Sequence, residues 1–598
     1  MRWIFVAAVV AAYVCVVRSN VGAEPIVLKA SSKIEKIACT TCRVITEVMS
    51  EVWGKNMTRD CIADALSFLC RKLNIEHYSV CSGITSQFKE EFLYVLGELV
   101  LKPSQLCGFL LPHCGTPVNP LGQNWTIALP GGKPAPATNP IVPSGGPTLR
   151  VLQLSDIHFD MLYQPGAEGD CAKPVCCREM NDDGTDGISE QVKKPAPFWG
   201  SLGACDAPYW TVENMLRHIS MNENLDYILI AGDLMSHADW TYTREGHEAI
   251  IKNLTALLNK HFPDTPTFWT VGNHEGVPVN SFAPHSAPKK YWPTWLYSAL
   301  NTAWKRWLPE KTKKDILYRA SYSVQIIDKL RLISLNTAYC DQTNFWIYLN
   351  QTDPDGTLAW LVEELTSAER LGQKVQILGH IPPGSGECLE GWAKNYYRIV
   401  NRFESTIVGQ FTGHTHTDSY TVYYEDMDNY KSRPTNVMYV APSVTTFVGL
   451  NPSYRIYTID GAHEGSTYEI LDHETWFMNL TVANQIGHPH WKLLYRAKRA
   501  YNMKTLRPEE WSQLTNELKK SKKTFRKFLR YYARRKDYEC NDQCRREILC
   551  SLRSGHHNDV GLCNDFNPST ENDYSNETKH YAAIRRELRK WNIKCPNI

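Results

Sequence analysis

The sequence predicts a multi-domain chain in which a small all-α unit precedes an α/β domain and a helical C-terminal region. Three observations predict it. At 598 residues the chain exceeds what one hydrophobic core usually serves, so two or three domains are expected. Residues 115–148 hold eight prolines and six glycines, a composition that favours extended, semi-rigid chain over a packed core. From residue 149 short apolar runs alternate with helix-like stretches, and after about residue 462 the texture turns mostly helical and basic.

The first segment carries Arg2, an apolar run from Trp3 to Val17 and the small residues Val21, Gly22 and Ala23, so residues 1–23 read as a secretory signal peptide. The run is too short for a transmembrane anchor. Nineteen cysteines, one of them (Cys15) inside that segment, suit an oxidising compartment. Six N-x-[ST] sequons, at Asn56, Asn124, Asn253, Asn350, Asn479 and Asn576, add to the expectation of a secreted or lysosomal glycoprotein. The formal net charge of +2 points to no class of partner.

Residues 35–118 form the expected all-α unit. Val44, Val48 and Val52 recur at helical spacing, as do Phe88, Phe92, Val95, Leu96 and Leu99. Cys61 set aside, its cysteines follow the pattern C-x2-C, C-x10-C, C-x6-C, which resembles the saposin family of small lipid-interacting domains. The resemblance implies the pairs Cys39 to Cys114, Cys42 to Cys107 and Cys70 to Cys81. Cys39 and Cys42, three apart on a helix, share a face, and Pro112 can turn the chain between Cys107 and Cys114, so the implied pairing is sterically reasonable. Residues 119–148 are the linker.

Between 149 and 461, five strand-like apolar runs each end in residues of metal-ligand type. RVLQLSDIHFD delivers Asp156 and His158, and DYILIAGDLMSH delivers Asp233 and His237. TFWTVGNHE delivers Asn273 and His274, KVQILGHIPPG delivers His380, and GQFTGHTH delivers His414 and His416. In sheet-based folds ligands sit in the crevice outside the carboxyl ends of strands, so five such ends can converge on one site. Gly232, Gly272, Gly379 and Gly413 each precede a ligand, where the strand turns sharply. Imidazole and carboxylate ligands, with a neutral amide oxygen, suit zinc.

The ordered motifs D-x-H, G-D-x-x-x-H, G-N-H-E, G-H-x-P-P-G and G-H-x-H resemble the calcineurin-like metallophosphoesterases. With the saposin-like unit, the Pro-rich linker and a helical C-terminal region, the whole chain after the signal is similar to the acid sphingomyelinase family. That resemblance implies a two-sheet β-sandwich flanked by helices. It also implies two zinc ions, one held by Asp156, His158, Asp233 and His416 and the other by Asp233, Asn273, His380 and His414, with Asp233 bridging. Purple acid phosphatases, a related group, place a tyrosine for ferric iron where this chain has Ser236. The implied reaction is hydrolysis of sphingomyelin to ceramide and phosphocholine by in-line attack of a metal-bridging hydroxide. His237 and His274, next to ligands without being ligands, are placed to stabilise the phosphate and protonate the leaving alkoxide, which suits an acidic compartment. Tyr454 is the aromatic face the resemblance suggests for the choline. The family's acidic headgroup residue near the cysteine matching Cys340 is replaced here by Thr343, with only Asp341 nearby.

Cys171, Cys176, Cys177, Cys205, Cys340 and Cys388 are expected to be bridged. So are Cys540, Cys544, Cys550 and Cys563, close-spaced in the C-terminal region 462–598. Residues 519–536 carry ten Lys or Arg, with Phe525, Phe528, Leu529 and Tyr532 at helical spacing. Such a stripe is either a packed helix with a solvated basic face or a surface that meets anionic lipid. The expected partner is a sphingomyelin-bearing membrane surface, anionic lipids included. No nucleic acid is expected, and the chain is expected to act as a monomer.

Overall fold

The computed structural model describes residues 59–73, 75–100, 124–135, 145–179, 192–556 and 562–566. They fall into two units. The described part of the first consists of three helices, α1 (Arg59–Lys72), α2 (Tyr78–Phe88) and α3 (Glu91–Val100). Ile62, Ala63, Val80, Leu93 and Val95 are buried, and Cys70–Cys81 ties α1 to α2. The signal peptide, the helix around Val44, the pairs Cys39–Cys114 and Cys42–Cys107, Asn56, Asn576 and the side chain of Cys61 lie outside the described residues.

The second unit is built on two six-stranded sheets among the described residues. The strands in chain order are β1 (Thr148–Leu154), β2 (Phe159–Asp160), β3 (Ala207–Pro208), β4 (Tyr227–Ile230), β5 (Thr267–Trp269), β6 (Tyr322–Ile327), β7 (Leu330–Ser334), β8 (Lys374–Leu378), β9 (Ile407–Thr412), β10 (Ser419–Tyr424), β11 (Pro434–Val440), β12 (Ser453–Asp460), β13 (Ile470–Met478) and β14 (Trp491–Arg496). One sheet runs β14-β13-β12-β1-β4-β5 and the other β10-β11-β9-β8-β7-β6, while β2 and β3 form a small separate ribbon. Each sheet contains a run of parallel strands: β1, β4 and the edge strand β5 in the first, and the central strands β7, β8, β9 and β11 in the second. Strands buried on both faces read as continuous apolar runs, which is why YILI of β4 and KVQIL of β8 stand out in the sequence.

Helices supply the crossovers that parallel pairing requires. In the first sheet α4 (Tyr209–Asn222) precedes β4, and α5 (Arg244–His261) joins β4 to β5. Then α6 (Thr294–Trp304) and α7 (Lys313–Arg319) lead to β6, α8 (Thr357–Arg370) joins β7 to β8, and α9 (Glu390–Arg402) joins β8 to β9. Buried polar side chains bridge the two sheets. The Tyr227 hydroxyl donates to Gln376 Oε1 at 2.7 Å, Gln153 Nε2 to the Thr412 carbonyl at 3.0 Å, and the Tyr322 hydroxyl to the Trp269 carbonyl at 2.8 Å.

Three features differ from the sequence reading. Residues 470–478 and 491–496, expected to be helical, are β13 and β14, and they extend the first sheet in an antiparallel meander from β12. The C-terminal helices proper are α10 (Leu480–Ile486), α11 (Ala497–Tyr501), α12 (Pro508–Lys520), α13 (Lys522–Tyr532) and α14 (Asp542–Ser551).

The second difference is the linker. Its residues 124–135 are an extended strap on the α/β domain, with Trp125, Ile127 and Leu129 packed against the core over α9. The Asn395 side chain meets the strap's backbone twice, accepting from Ile127 N at 2.9 Å and donating to the Trp125 carbonyl at 2.7 Å. Arg402 donates to the carbonyls of Pro130 and Gly131. Proline-rich chain can therefore pack once a neighbour satisfies its backbone.

The third is the basic stretch 519–536, which is broken by Ser521, the N-cap of α13. Phe525 and Phe528 are buried, as a packed helix requires, and several of the charges are used internally. Lys519 pairs with Asp565, Lys527 donates to the Ala500 carbonyl, and Arg534 is wholly buried.

Candidate metal centre

The five strand ends converge. Asp156 and His158 follow β1, Asp233 follows β4, Asn273 and His274 follow β5, His380 follows β8, and His414 and His416 follow β9. Three overlapping groups of side chains each bring ligand atoms within 4.8 Å of one another: His158, His237 and His416; His158, Asp233 and His274; Asp233, His380 and His414. Asp233 stands between the two sides, its Oδ2 3.0 Å from His380 Nε2 and 3.6 Å from His158 Nε2. On one side His416 Nε2 lies 3.2 Å from His158 Nε2 and 3.7 Å from Asp156 Oδ1. On the other, His380 Nε2 lies 3.0 Å from Asn273 Oδ1 and 3.2 Å from His414 Nδ1.

Backbone strain is concentrated here. Asp156, His158, Asp233, His414 and His416 all have positive φ, between 43° and 70°. Such conformations cost on the order of 1 kcal/mol or more each and persist where surrounding structure over-determines them. The glycines make room for them. A Cβ on Gly413 would lie 1.7 Å from Ser155 Oγ, and one on Gly272 would lie 2.2 Å from Asp233 Oδ1. Glu275 holds the turns from below, accepting from the backbone N–H groups of Gly272, Asp233 and Leu234. Burial, then Asp233, pushes its own carboxyl up to about 7.

The residues present fit a pair of metal ions. His158 Nδ1 meets the Met235 carbonyl at 2.6 Å and His380 Nδ1 meets the Ala231 carbonyl at 2.5 Å, which leaves each Nε2 as the lone-pair atom facing the centre. Asn273 donates from Nδ2 to Asn280 Oδ1 at 2.9 Å, so its Oδ1 is the atom turned inward. His414 Nε2 is bonded to Glu387, which leaves Nδ1 for the centre. The carboxylates also call for positive charge. Burial alone would lower His380, but Asp233 pushes it up to about 10.

His237 and His274 sit beside this group in different surroundings. The His237 ring is stacked between His158, at 3.8 Å, and Phe447, at 3.9 Å. Its backbone N–H and its Nδ1 both meet the Asp206 carboxylate at 2.7 Å, and Thr445 Oγ1 donates to the same carboxylate at 2.9 Å. Burial disfavours an imidazolium at His237, but Asp206 overrides it and the pKa is raised. His274 is pushed down to about 3, by burial above all. Its Nδ1 meets the Tyr242 hydroxyl at 2.7 Å, and that hydroxyl reaches the Ser236 carbonyl at 2.6 Å. Ser236 Oγ accepts from Arg178, so the position of the iron-binding tyrosine in purple acid phosphatases is occupied by an ordinary hydrogen bond.

Tyr454 is not at this centre. Its ring is 1% exposed and packs against Trp476 and Trp491, so it offers no face to a ligand. The half-exposed aromatic ring beside His237 is Phe447. Asp341 is also buried, and burial pushes its carboxyl up to about 6 while Thr343 donates to it twice. The half-exposed carboxylate at the centre is Glu387. Asp206, Tyr242, Glu387 and Phe447 escaped the sequence reading because they come from irregular segments. Two carry a faint signal, since Asp206 follows Cys205 and Glu387 precedes Cys388.

All ten of those expected cysteines outside the first unit are bridged, as Cys171–Cys176, Cys177–Cys205, Cys340–Cys388, Cys540–Cys544 and Cys550–Cys563. The sequon residues Asn124, Asn350 and Asn479 are exposed and Asn253 is partly so. Among the described residues no helix is long and apolar enough to cross a membrane.

The chain is similar to known families and proteins. Residues 149–418 match the calcineurin-like phosphoesterase family, and residues 433–563 match the acid sphingomyelin phosphodiesterase C-terminal region. Sphingomyelin phosphodiesterase 1 of Caenorhabditis elegans is 43% identical over 538 residues, covering 88% of this chain and 93% of its own. Human sphingomyelin phosphodiesterase is 39% identical, covering 84% of this chain and 78% of its own. A bovine cyclic GMP-AMP phosphodiesterase, SMPDL3A, is 28% identical over 69% of this chain and 90% of its own. Among solved structures, a dimetal phosphatase from Danio rerio covers 55% of this chain and 96% of its own at 12% identity, with a TM-score of 0.32.

Proposed function

The chain belongs to the sphingomyelin phosphodiesterase family and is a phosphodiesterase hydrolase, and from that premise we propose that it hydrolyses sphingomyelin to ceramide and phosphocholine with two zinc ions in an acidic lysosomal or secretory compartment. The observation that carries the reading is the convergence of seven imidazole, carboxylate and amide ligands from five strand ends, with one carboxylate, Asp233, shared between both sides.

Asp156, His158, Asp233 and His416 would hold one ion, and Asp233, Asn273, His380 and His414 the other. Such a pair would supply charge for the phosphate oxygens and lower the pKa of the attacking water. The protein does the rest. Second contacts at His158, His380 and Asn273 fix ring and amide orientation, and the strained turns hold the ligands without further reorganisation. His237, whose pKa Asp206 raises, can hold a proton beside the phosphate and deliver it to the departing ceramide oxygen. His274 is neutral and oriented by Tyr242, so its role is to hydrogen-bond the phosphate rather than to protonate the leaving group. Phe447, partly exposed and stacked on His237, is the aromatic ring that would meet the quaternary ammonium of the headgroup, in place of Tyr454.

The experiment compares turnover of sphingomyelin vesicles with turnover of a nucleoside phosphodiester, before and after metal stripping. The reading requires sphingomyelin to be the better substrate by kcat/KM and zinc to restore the stripped enzyme. Faster turnover of the nucleotide would move the substrate to soluble phosphodiesters and leave the metal chemistry intact.

A further inference from the structure

A cleft of about 1000 Å³ opens on the α/β domain between α7 and α8, and no residue of the metal centre lines it. Its floor is aromatic and charged together. The Arg319 guanidinium lies 4.9 Å from the Tyr318 ring centroid and 5.6 Å from that of Trp360. The His285 ring stacks on Tyr318 at 4.1 Å, with its Nδ1 held by Asp355 at 2.9 Å. Tyr318 is 38% exposed.

One polar group of the lining has unmet hydrogen-bonding capacity. Arg319 Nε is buried without a hydrogen bond, its nearest carboxylate oxygen being Asp315 Oδ1 at 3.8 Å. Unpaired buried polar groups are uncommon and call for an explanation. The wall is also strained, Asp353 and Asp355 having φ of 41° and 52°.

Tyr318 keeps exposed surface although His285 covers one of its faces, and the Arg319 guanidinium stands beside it. Apolar ring surface beside a hydrogen-bond donor is the chemistry that receives a sugar, whose C–H groups pack on the ring and whose hydroxyl and acetamido oxygens accept from the guanidinium. The Asp353 and Asp355 carboxylates are already engaged, by the N–H groups of Leu358 and Ala359 and by His285 and Tyr339. The source of the sugar is on the rim itself. Asn350 and Thr352, the acceptor and hydroxyl residue of the Asn350 sequon, both line the cleft, with Gln351 between them. We propose that this cleft is a carbohydrate site occupied by the chain's own N-glycan, whose innermost sugars, attached at Asn350, lie against Tyr318 and Arg319. The proposal rests on passage through the secretory pathway and is independent of the substrate. Occupation gives Arg319 Nε an acceptor and covers the segment between α7 and α8 that carries Asp353 and Asp355.

The test uses the full chain secreted from cells blocked at the high-mannose stage, so that each glycan is the same substrate for an endoglycosidase that cuts between the two innermost sugars. Under native conditions the Asn350 glycan should be trimmed at least tenfold more slowly than those at Asn253 and Asn479, as read by peptide mass mapping. Tyr318→Ala should remove most of that protection and leave the rates at Asn253 and Asn479 unchanged. Thr352→Ala, which abolishes attachment but keeps Asn350, should lower Tm with no change in kcat on a soluble aryl phosphodiester. An unglycosylated Asn350, equal trimming at the three sites, or protection that survives Tyr318→Ala would overturn the proposal.

Discussion

Asp233 is where the account is most exposed to a single substitution. One carboxylate serves both sides of the centre, so Asp233→Ala is expected to abolish activity and release more metal than the loss of any other ligand, as read by elemental analysis. Two retained ions would defeat the bridging assignment. His237→Ala should keep the metal and lose about 10²- to 10⁴-fold in turnover, the usual scale for a positioned acid. The loss should shrink with an aryl leaving group that departs unprotonated. Asp206 raises the His237 pKa, so the protonated form is present below that raised value and is lost as pH rises through it. Asp206→Asn should therefore move the alkaline limb of the kcat profile to lower pH. An unmoved limb would assign the limb to another group. The ligands were legible in the sequence because each lies just past an apolar strand, and four of them, Asp233, Asn273, His380 and His414, directly follow a glycine. Their supports were not: Asp206, Glu387, Tyr242 and Phe447 have no periodic neighbour, and they reach the histidines only after β-strands far apart in sequence have been brought together.

At the scale of elements, the parallel strands were readable and β13 was not. Its residues His473, Glu474 and Thr475 are polar yet buried, because Thr475 donates to Asp418 at 2.7 Å and Glu474 receives Arg496 at 2.9 Å. Internal hydrogen bonding hides the alternation that would mark a strand. The same C-terminal region reaches the metal centre through Arg534, just after α13. This arginine is wholly buried and donates to the carbonyls of His416 and Asn451 and to Ser443 Oγ at 3.0 Å, while the carbonyl of Tyr532 accepts from Asp418 N at 3.2 Å. The C-terminal helices thus fix the backbone of a ligand loop. Removing charge-assisted hydrogen bonds of this kind costs about 1.5–3 kcal/mol each. Arg534→Met should accordingly lower Tm and weaken metal retention, with excess zinc recovering part of kcat. Normal metal content with normal kcat would make the arginine a stability element alone.

For the whole molecule, a lipid phosphodiesterase must reach a phosphate held at a membrane surface, and the saposin-like unit is the part expected to present the lipid. The strap changes how that is tested. Trp125, Ile127 and Leu129 are partly buried against the α/β core, and removing them would expose the apolar surface they cover, so a truncation must keep them. A chain beginning near residue 121 should cleave a soluble aryl phosphodiester at the full rate yet turn over vesicle sphingomyelin poorly, and a free saposin should restore part of the loss. Full vesicle activity in that chain would leave the N-terminal unit without a role in presenting lipid. The central claim is that a paired metal centre hydrolyses sphingomyelin. Its most direct test is to titrate the metal-stripped enzyme with zinc while following phosphocholine release from sphingomyelin. Activity should climb to a plateau at two zinc ions per chain, whereas a plateau at one, or release that needs no metal, would contradict it.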